Sequence, residues 1–177
     1  MQGVLIGEKM KSLTTKKIAR AGLIAGVYTL TAMITFPISS GAIQLRLSEA
    51  LCVLPFLFIE AVPALFIGCM LSNIITACAF LDVILGSVIT LVSAMLTYLT
   101  GKLIKNTVVK IIVGGLFPVL INAFILPIIW LIYGAPQYAY IVQVAFLVVG
   151  QALAVYAVGT PLYLALKRLQ EKNDFYK

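Results

Sequence analysis

The side chains best suited to binding a polar ligand lie in one short segment, residues 44–63 (QLRLSEALCVLPFLFIEAVP). This segment places Gln44, Arg46, Glu49 and Glu60 among leucines and phenylalanines. A charged side chain at membrane depth costs about 2.5–3.5 kcal/mol on insertion scales, so it normally faces a cavity or a partner. We therefore take the segment as the candidate binding region.

Arg46 and Glu49 are three residues apart. If both lie on one helical turn, they share a face and can pair with each other or with a bound ligand. The alternative is that an Arg–Glu pair only holds one helix against its neighbour. Because ionisable groups inside membranes are usually functional, the binding interpretation is favoured.

The composition indicates an all-α integral membrane protein. Of the 177 residues, 62% are hydrophobic and 11% are charged, whereas soluble domains carry roughly 25% charged residues. Several apolar runs reach about 20 residues, the length that an α-helix needs to cross a bilayer. We therefore expect a multi-pass protein of the cell membrane.

The net charge of +7 follows the positive-inside rule and needs no nucleic acid to explain it. All basic residues except Arg46 gather in three segments that flank apolar runs: Lys9, Lys11, Lys16, Lys17 and Arg20; Lys102, Lys105 and Lys110; and Lys167, Arg168, Lys172 and Lys177. Lys and Arg next to membrane spans stay in the cytoplasm. Both termini are therefore predicted to be cytoplasmic.

This charge pattern fits a six-transmembrane-helix bundle. We predict a cytoplasmic arm at residues 1–16, a transmembrane domain at 17–168 and a cytoplasmic tail at 169–177. The predicted helices cover residues 17–36, 48–59, 63–80, 82–101, 111–133 and 140–166. The first is expected to stop at Pro37, because proline disfavours helical geometry in the residue before it. Without the second span, the basic tail would lie outside, against the charge rule.

The second predicted helix is unusually short. Its dozen residues reach about 18 Å, against a hydrocarbon core of roughly 30 Å. Residues 44–47 are therefore predicted to be non-helical backbone. Such backbone is tolerated at membrane depth only where it lines a cavity or is buried in protein.

Polar residues from several predicted helices converge on the outer half of this bundle. A ligand site needs a few such groups placed around an apolar pocket. We predict an outward-facing capture site formed by Gln44, Arg46, Glu49, Asn73, Asp82, Trp130 and Gln143.

Four small residues of the first helix, Ala21, Gly22, Ala25 and Gly26, form two small-xxx-small pairs on adjacent faces. Small residues let helix backbones approach closely, which is how membrane helices associate. The stripe can dock a partner or pack within the chain, and the spacing alone does not decide between the two.

Enzymatic and metal chemistry are disfavoured. The chain has no histidine, which excludes imidazole-based zinc sites, and it has no phosphate-binding loop of the G-x-x-x-x-G-K-[ST] type. Cys52, Cys69 and Cys78 lie in apolar runs and are expected to pack. The spacing of Glu49 and Asp82 does not favour an acid–base pair over a binding role. We expect no enzyme activity, metal or cofactor in this chain.

Two sequence blocks carry a resemblance to a known family. Residues 43–51 (IQLRLSEAL) and 60–73 (EAVPALFIGCMLSN) resemble the signature of the QueT family, and residues 18–29 (IARAGLIAGVYT) extend the likeness into the first helix. QueT proteins are substrate-binding S components of energy-coupling factor (ECF) transporters associated with queuosine precursors. The resemblance implies a six-helix subunit that captures its substrate from outside a bacterial cell.

The resemblance also implies partners and a substrate class. S components work with a membrane scaffold, the T component, and with two cytoplasmic ATPases that hydrolyse ATP. Small residues of the first helix, here Ala21 and Ala25, are expected to form the docking face. The implied substrate is a 7-deazaguanine such as preQ1 or preQ0.

For such a ligand, a carboxylate can accept both the ring N–H and the neighbouring amino group. Glu49 is the first choice for this role and Asp82 the second, with Asp82 also suited to an ammonium group. Trp130 or a tyrosine is expected to stack on the ring. Asn73 or Gln143 is expected to hydrogen-bond to the carbonyl edge of the ring, and Arg46 is expected to orient Glu49.

Two other functions are compatible with the sequence. The chain can be an S component or a stand-alone carrier for another vitamin. It can also be a membrane scaffold protein without a ligand, in which the polar residues only hold helices together.

Overall fold

The computed structural model describes residues 2–39, 44–132, 134 and 138–172, with side chains from residue 14 onward. Within these ranges every regular element is helical, which confirms the predicted all-α fold. Tyr133, the predicted end of the fifth helix, and residues 173–177 of the predicted tail lie outside the described residues.

Six helices follow one another along the described chain. They are α1 (Gln2–Ser39), a 3-10 helix (Leu47–Phe56), α2 (Ala61–Ile75), α3 (Asp82–Leu103), α4 (Thr107–Ile132) and α5 (Tyr140–Lys172). Two of them contain wider, π-helical turns. α3 opens with one at Asp82–Gly86, and α5 contains one at Leu153–Gly159.

In the described part of the chain, four helices are long and apolar enough to cross a membrane: Thr14–Ser39 of α1, and α3, α4 and α5. The 3-10 helix has 10 residues and α2 has 15. They reach only about 20 Å and 22 Å, less than a hydrocarbon core of roughly 30 Å. Two of the six predicted spans are therefore too short to cross alone. The cytoplasmic placement of both termini stays a prediction.

The outer faces of the helices are strongly apolar. Leu23, Ile34, Phe80 and Ile141 are 67%, 77%, 74% and 69% exposed. Soluble monomers rarely expose contiguous apolar patches larger than a few hundred Å². This surface suits contact with lipid chains rather than with water.

The ends of α1 differ from the prediction. The helix begins at Gln2 rather than near residue 17, so the described backbone of the predicted arm is helical. It also continues through Pro37 to Ser39, and the prediction that it stops at Pro37 is wrong. A proline in the last turn removes only one intrahelical hydrogen bond, and Ser39 Oγ donates to the Phe36 carbonyl at 3.0 Å.

α2 ends at Ile75, five residues before the predicted position at residue 80. Its C-terminus is closed by Ala77, whose φ of +52° lies in the left-handed region. The N–H of Cys78 donates to the Asn73 carbonyl at 2.9 Å, which satisfies a backbone oxygen at the helix end. The early stop leaves Asn73 in the last turn of α2, next to the start of α3.

Helices that are neighbours in the chain pack side by side, from α1 with α2 to α4 with α5. The 3-10 helix packs against α1, α3 and the π-helical turn of α5, so it lies in the middle of the bundle. Its buried residues are Ser48, Glu49, Ala50, Cys52, Val53, Leu54 and Pro55.

Two glycines of α5 let the backbone of segment 44–54 lie directly on that helix. A Cβ at Gly150 would lie 2.7 Å from the Gln44 carbonyl oxygen, and one at Gly159 would lie 2.8 Å from the Ala50 carbonyl oxygen. In a continuous α-helix, residues nine positions apart point about 180° away from each other. The π-helical turn takes up an extra residue, which brings both glycines towards segment 44–54.

Replacing Gly150 by alanine is expected to destabilise the fold by about 1–3 kcal/mol, because the new Cβ collides with the Gln44 carbonyl oxygen. Gly26→Ala is the matched control, since nothing lies within 4 Å of a Cβ at Gly26. The measurement is the thermal unfolding midpoint of each purified variant in the same detergent. Equal midpoints for the two variants would contradict the close packing of the segment on α5.

Candidate functional site

A cavity of about 270 Å³ lies at the end of the bundle where α1 and α2 end and α3 and α5 begin. We term this the cavity end. The opposite end, which carries Lys17, Lys102 and Lys167, is termed the basic end. Six of the seven predicted ligand-binding residues line the cavity: Gln44, Arg46, Asn73, Asp82, Trp130 and Gln143. Their role in binding stays a prediction.

Separate elements bring these residues together. Residues 44–46 are non-helical, as predicted, and Gln44 and Arg46 line the cavity, but Leu47, also predicted to be non-helical, begins the 3-10 helix. Asn73 lies in the last turn of α2, and Asp82 opens α3. Trp130 lies near the end of α4, and Gln143 lies in the first turn of α5. The cavity is therefore a gap between helix ends, with polar groups on its wall.

Arg46 does not share a helical face with Glu49, so that expectation is wrong. The 3-10 helix begins only at Leu47, and Arg46 precedes it with extended backbone angles of −92° and 91°. Its carbonyl accepts the Glu49 N–H at 3.0 Å. Among the described residues, the Arg46 side chain forms no ion pair with a carboxylate, and it lines the cavity.

Glu49 lies behind the cavity wall, with only 1% of its surface exposed. Its Oε1 accepts the Tyr28 hydroxyl at 2.7 Å. Its Oε2 accepts the Cys52 thiol at 3.1 Å and the Asn122 side-chain amide at 3.4 Å. These donors come from α1, the 3-10 helix and α4, and all three residues are buried. The carboxylate is thus occupied within the protein, and it is absent from the cavity lining, unlike the other predicted residues.

Two residues that line the cavity each carry a side-chain oxygen that is buried without a partner in the described part of the chain. These oxygens are Asp82 Oδ1 and Gln143 Oε1. A buried polar atom without a partner costs about 1–3 kcal/mol, so both atoms favour a ligand that donates hydrogen bonds. Asp82 also interacts with the indole of Trp130, which places an aromatic ring beside the carboxylate.

Asn73 positions the start of α3. Its Nδ2 donates to the Asp82 backbone carbonyl at 3.1 Å and contacts the sulfur of Cys69 at 3.6 Å. The side chain thereby ties the end of α2 to the first turn of α3. Asn73 therefore orients Asp82 from the protein side while it lines the cavity.

A set of hydroxyl groups on the cavity wall was missed by sequence reasoning. Tyr28, Thr35 and Ser39 follow one another along one face of α1, and Ser72 lies in the last turn of α2 with Thr76 just after its end. Their spacing of four or seven residues was the available signal. Several of these hydroxyls donate within their own helix, as Thr76 does to the Ser72 carbonyl at 2.7 Å, so they supply a polar lining rather than unpaired donors.

The small-residue stripe of α1 divides into two faces. Ala25 is buried against α2, where a Cβ on Gly68 would lie 3.0 Å from the Ala25 carbonyl oxygen. Ala21 also packs partly against the core. Gly22 and Gly26 are exposed, with nothing within 4 Å of an added Cβ. Ala25, and Ala21 in part, therefore pack within this chain, and docking of a partner on this stripe stays a prediction.

The sequence profile of a family described as the QueT transporter matches residues 18–168. The chain belongs to the QueT transporter family. No curated protein and no solved structure matched the chain. The match covers all the residues of the cavity wall. QueT membership implies a transporter component embedded in a membrane, which agrees with the four long apolar helices of the described chain.

The cavity wall of this QueT-family protein combines both signs of charge with side-chain amides. It offers one cation, Arg46, and one carboxylate, Asp82, together with the amides of Gln44, Asn73 and Gln143. Opposite charges and amides around an aromatic ring can recognise a flat ligand with donors on one edge and an acceptor on another. Among the described residues, no group of three or more His, Cys, Asp or Glu side chains could hold a metal ion.

Tyr28→Phe is expected to lower the stability of this QueT-family protein by about 1–3 kcal/mol, because it leaves the buried Glu49 carboxylate without its shortest hydrogen bond. Tyr138→Phe is the matched control, since Tyr138 is exposed and phenylalanine keeps its ring contact with Phe146. The stability of both variants is measured by thermal unfolding in detergent. A Tyr28→Phe midpoint equal to that of the control would refute the structural role of the carboxylate.

Proposed function

We propose that this QueT-family protein is the substrate-binding S component of an ECF importer and captures a 7-deazaguanine queuosine precursor such as preQ1 or preQ0. The observation that carries the proposal is the pair of buried, unpartnered acceptors, Asp82 Oδ1 and Gln143 Oε1, on the wall of a cavity that also contains Arg46. A guanine-like ring supplies what these groups lack, namely two adjacent N–H donors and a carbonyl acceptor.

In the proposed complex, Asp82 takes the role that the sequence assigned first to Glu49. The Glu49 carboxylate already accepts hydrogen bonds from Tyr28, Cys52 and Asn122. The Asp82 carboxylate lines the cavity and can accept the ring N–H and the amino group in a two-pronged, charge-assisted pair. Arg46 then donates to the carbonyl edge, Gln143 Oε1 accepts a further N–H of the ligand, and Trp130 stacks on the ring.

The size of the cavity favours a small heterocycle over a large vitamin. Pockets for drug-sized ligands measure roughly 300–1,000 Å³, and this cavity, at about 270 Å³, is slightly smaller. A single flat ring system with a short substituent suits such a space. A carrier for a bulky vitamin would need a larger one.

The distribution of basic residues indicates how the protein is oriented in the membrane. Basic residues next to membrane spans stay in the cytoplasm, so the basic end is expected to face inside and the cavity end outside. The cavity then collects its ligand from outside the cell. ATP hydrolysis is assigned to two partner ATPases, and a membrane T component links them to this chain.

For docking of the T component, the exposed Gly22 and Gly26 are better placed than Ala21 and Ala25. A partner helix can approach closely where no side chain projects. Replacing both glycines by leucine is therefore expected to abolish co-purification with the T component while ligand binding is unchanged. Val27→Leu, on the exposed side of the same helix, is the control. Normal co-purification of the glycine variant would exclude this docking face.

The experiment that tests the function uses Trp130, the single tryptophan, which lines the cavity. The purified protein is titrated with preQ1, preQ0, guanine and riboflavin while its fluorescence is followed. The affinity of each ligand that changes the fluorescence is then measured by calorimetry. Saturable binding of a deazaguanine supports the proposal. No binding of any of these ligands by either method would overturn it and favour a scaffold protein.

Asp82→Asn is expected to weaken deazaguanine binding roughly 10- to 150-fold, the loss expected for a hydrogen bond to a charged group. Glu171→Gln, an exposed carboxylate near the basic end, removes the same charge far from the cavity and should leave binding unchanged. Calorimetric Kd values of both variants provide the measurement. Equal affinity of the Asp82→Asn variant and the wild type would remove Asp82 from the ligand contact.

A further inference from the structure

A second cleft, of about 390 Å³, lies at the basic end of the bundle. Its walls are α1, the turn between the 3-10 helix and α2, and the C-terminal ends of α3 and α5. The polar side chains on these walls are Lys17, Arg20, Glu60, Lys102 and Gln170. The cleft is separate from the cavity, with which it shares no lining residue.

The charge of this cleft is positive. Three cations, Lys17, Arg20 and Lys102, line it together with one carboxylate, Glu60. Glu60 Oε1 forms an ion pair with Arg20 at 2.6 Å. The other ion pair of the described residues, Lys167 with Glu171, lies outside the cleft. Lys17 and Lys102 therefore line the cleft without a carboxylate partner among the described residues, and a bound anion would compensate their charge.

Aromatic rings hold two of the cations in place. The Arg20 guanidinium lies 4.4 Å from the centre of the Phe58 ring, and Lys102 Nζ lies 4.7 Å from the centre of the Tyr98 ring. Cation–π contacts of this kind favour fixed positions of the charged groups. The cleft thus presents a partly ordered cationic surface rather than a set of freely moving side chains.

The rest of the cleft wall is apolar. Phe56, Leu57 and Ile59 line it, and Ile59 and Leu103 are 47% and 81% exposed at this end of the bundle. An anion with an attached hydrocarbon chain suits such a surface, because its charge can contact the cations and its chain can contact the apolar side chains. Basic pockets between helices near the cytoplasmic surface are suited to phospholipid headgroups for this reason.

We propose that this cleft binds the phosphate headgroup of an anionic phospholipid, with Lys17 and Lys102 contacting the phosphate and an acyl chain lying on the neighbouring apolar surface. The Arg20–Glu60 pair forms one wall and keeps α1 attached to the start of α2. The bound lipid would link α1 to the end of α3 at the basic end of the bundle. This site is independent of the ligand of the cavity.

The test uses the full chain, delipidated in a neutral detergent and titrated with phosphatidylglycerol or phosphatidylcholine, with native mass spectrometry reporting the Kd of the first bound lipid. Phosphatidylglycerol is expected to bind more tightly than phosphatidylcholine. Lys17→Gln combined with Lys102→Gln should weaken the phosphatidylglycerol Kd about thirtyfold, and Lys17→Gln alone about fivefold. The matched control, Lys105→Gln with Lys110→Gln, removes the same charge outside the cleft and should leave the Kd unchanged.

Two results would overturn the proposal. Equal weakening by the two double variants would mean that the lipid is attracted by the overall charge of this end and not by the cleft. Displacement of the lipid by inorganic phosphate, at phosphate concentrations similar to the lipid Kd, would assign the site to a free phosphate anion. Thermal unfolding without lipid verifies that the double variants are folded before their affinities are compared.

Discussion

The buried carboxylate of Glu49 is the group on which the arrangement of the bundle depends. Removing a carboxylate from water costs several kcal/mol unless charges or hydrogen bonds compensate. Here Tyr28, Cys52 and Asn122 supply the donors, from α1, the 3-10 helix and α4. A shift of any of these elements would leave the anion short of a donor. The carboxylate therefore holds three elements of the bundle in one relative position, directly behind the cavity wall.

The irregular backbone around this group follows from the same packing. The 3-10 helix is too short to cross a membrane, and segment 44–46 before it is non-helical. Backbone without a helix is stable at membrane depth only inside protein or beside a cavity. Gly150 and Gly159, presented on one side of α5 by its π-helical turn, provide the space that this backbone needs. The cavity is the space that remains next to the ends of these short elements.

The two ends of the bundle differ in chemistry and hence in what they can bind. The cavity end presents both signs of charge, through Arg46 and Asp82, and two buried acceptors that need donors. The basic end presents an excess of cations beside exposed apolar side chains. A neutral or zwitterionic heterocycle suits the first surface, and an anion with a hydrocarbon chain suits the second. The two proposed activities, capture of a ligand and binding of a lipid, are thereby assigned to opposite ends of the helices.

The sequence by itself determined the class of the protein, its helices and most of its cavity. Apolar runs, segregated lysines and a low content of charged residues are local properties, so they indicate membrane helices without knowledge of packing. Asp82, Trp130 and Gln143 could be placed near one another because each lies near the end of a predicted helix that reaches the same side of the bundle. The family was also accessible, because its signature is a continuous run of residues.

Only the tertiary structure decided which way individual side chains face. A three-residue spacing predicts a shared face only if both residues are helical, and Arg46 lies just before the 3-10 helix in extended backbone. Glu49 consequently faces the interior, and Arg46 lines the cavity. The rotation of α1 is likewise set by its contact with Gly68 of α2, which buries Ala25 and leaves Gly22 exposed. Such choices depend on contacts between residues far apart in the chain, and no local pattern contains them.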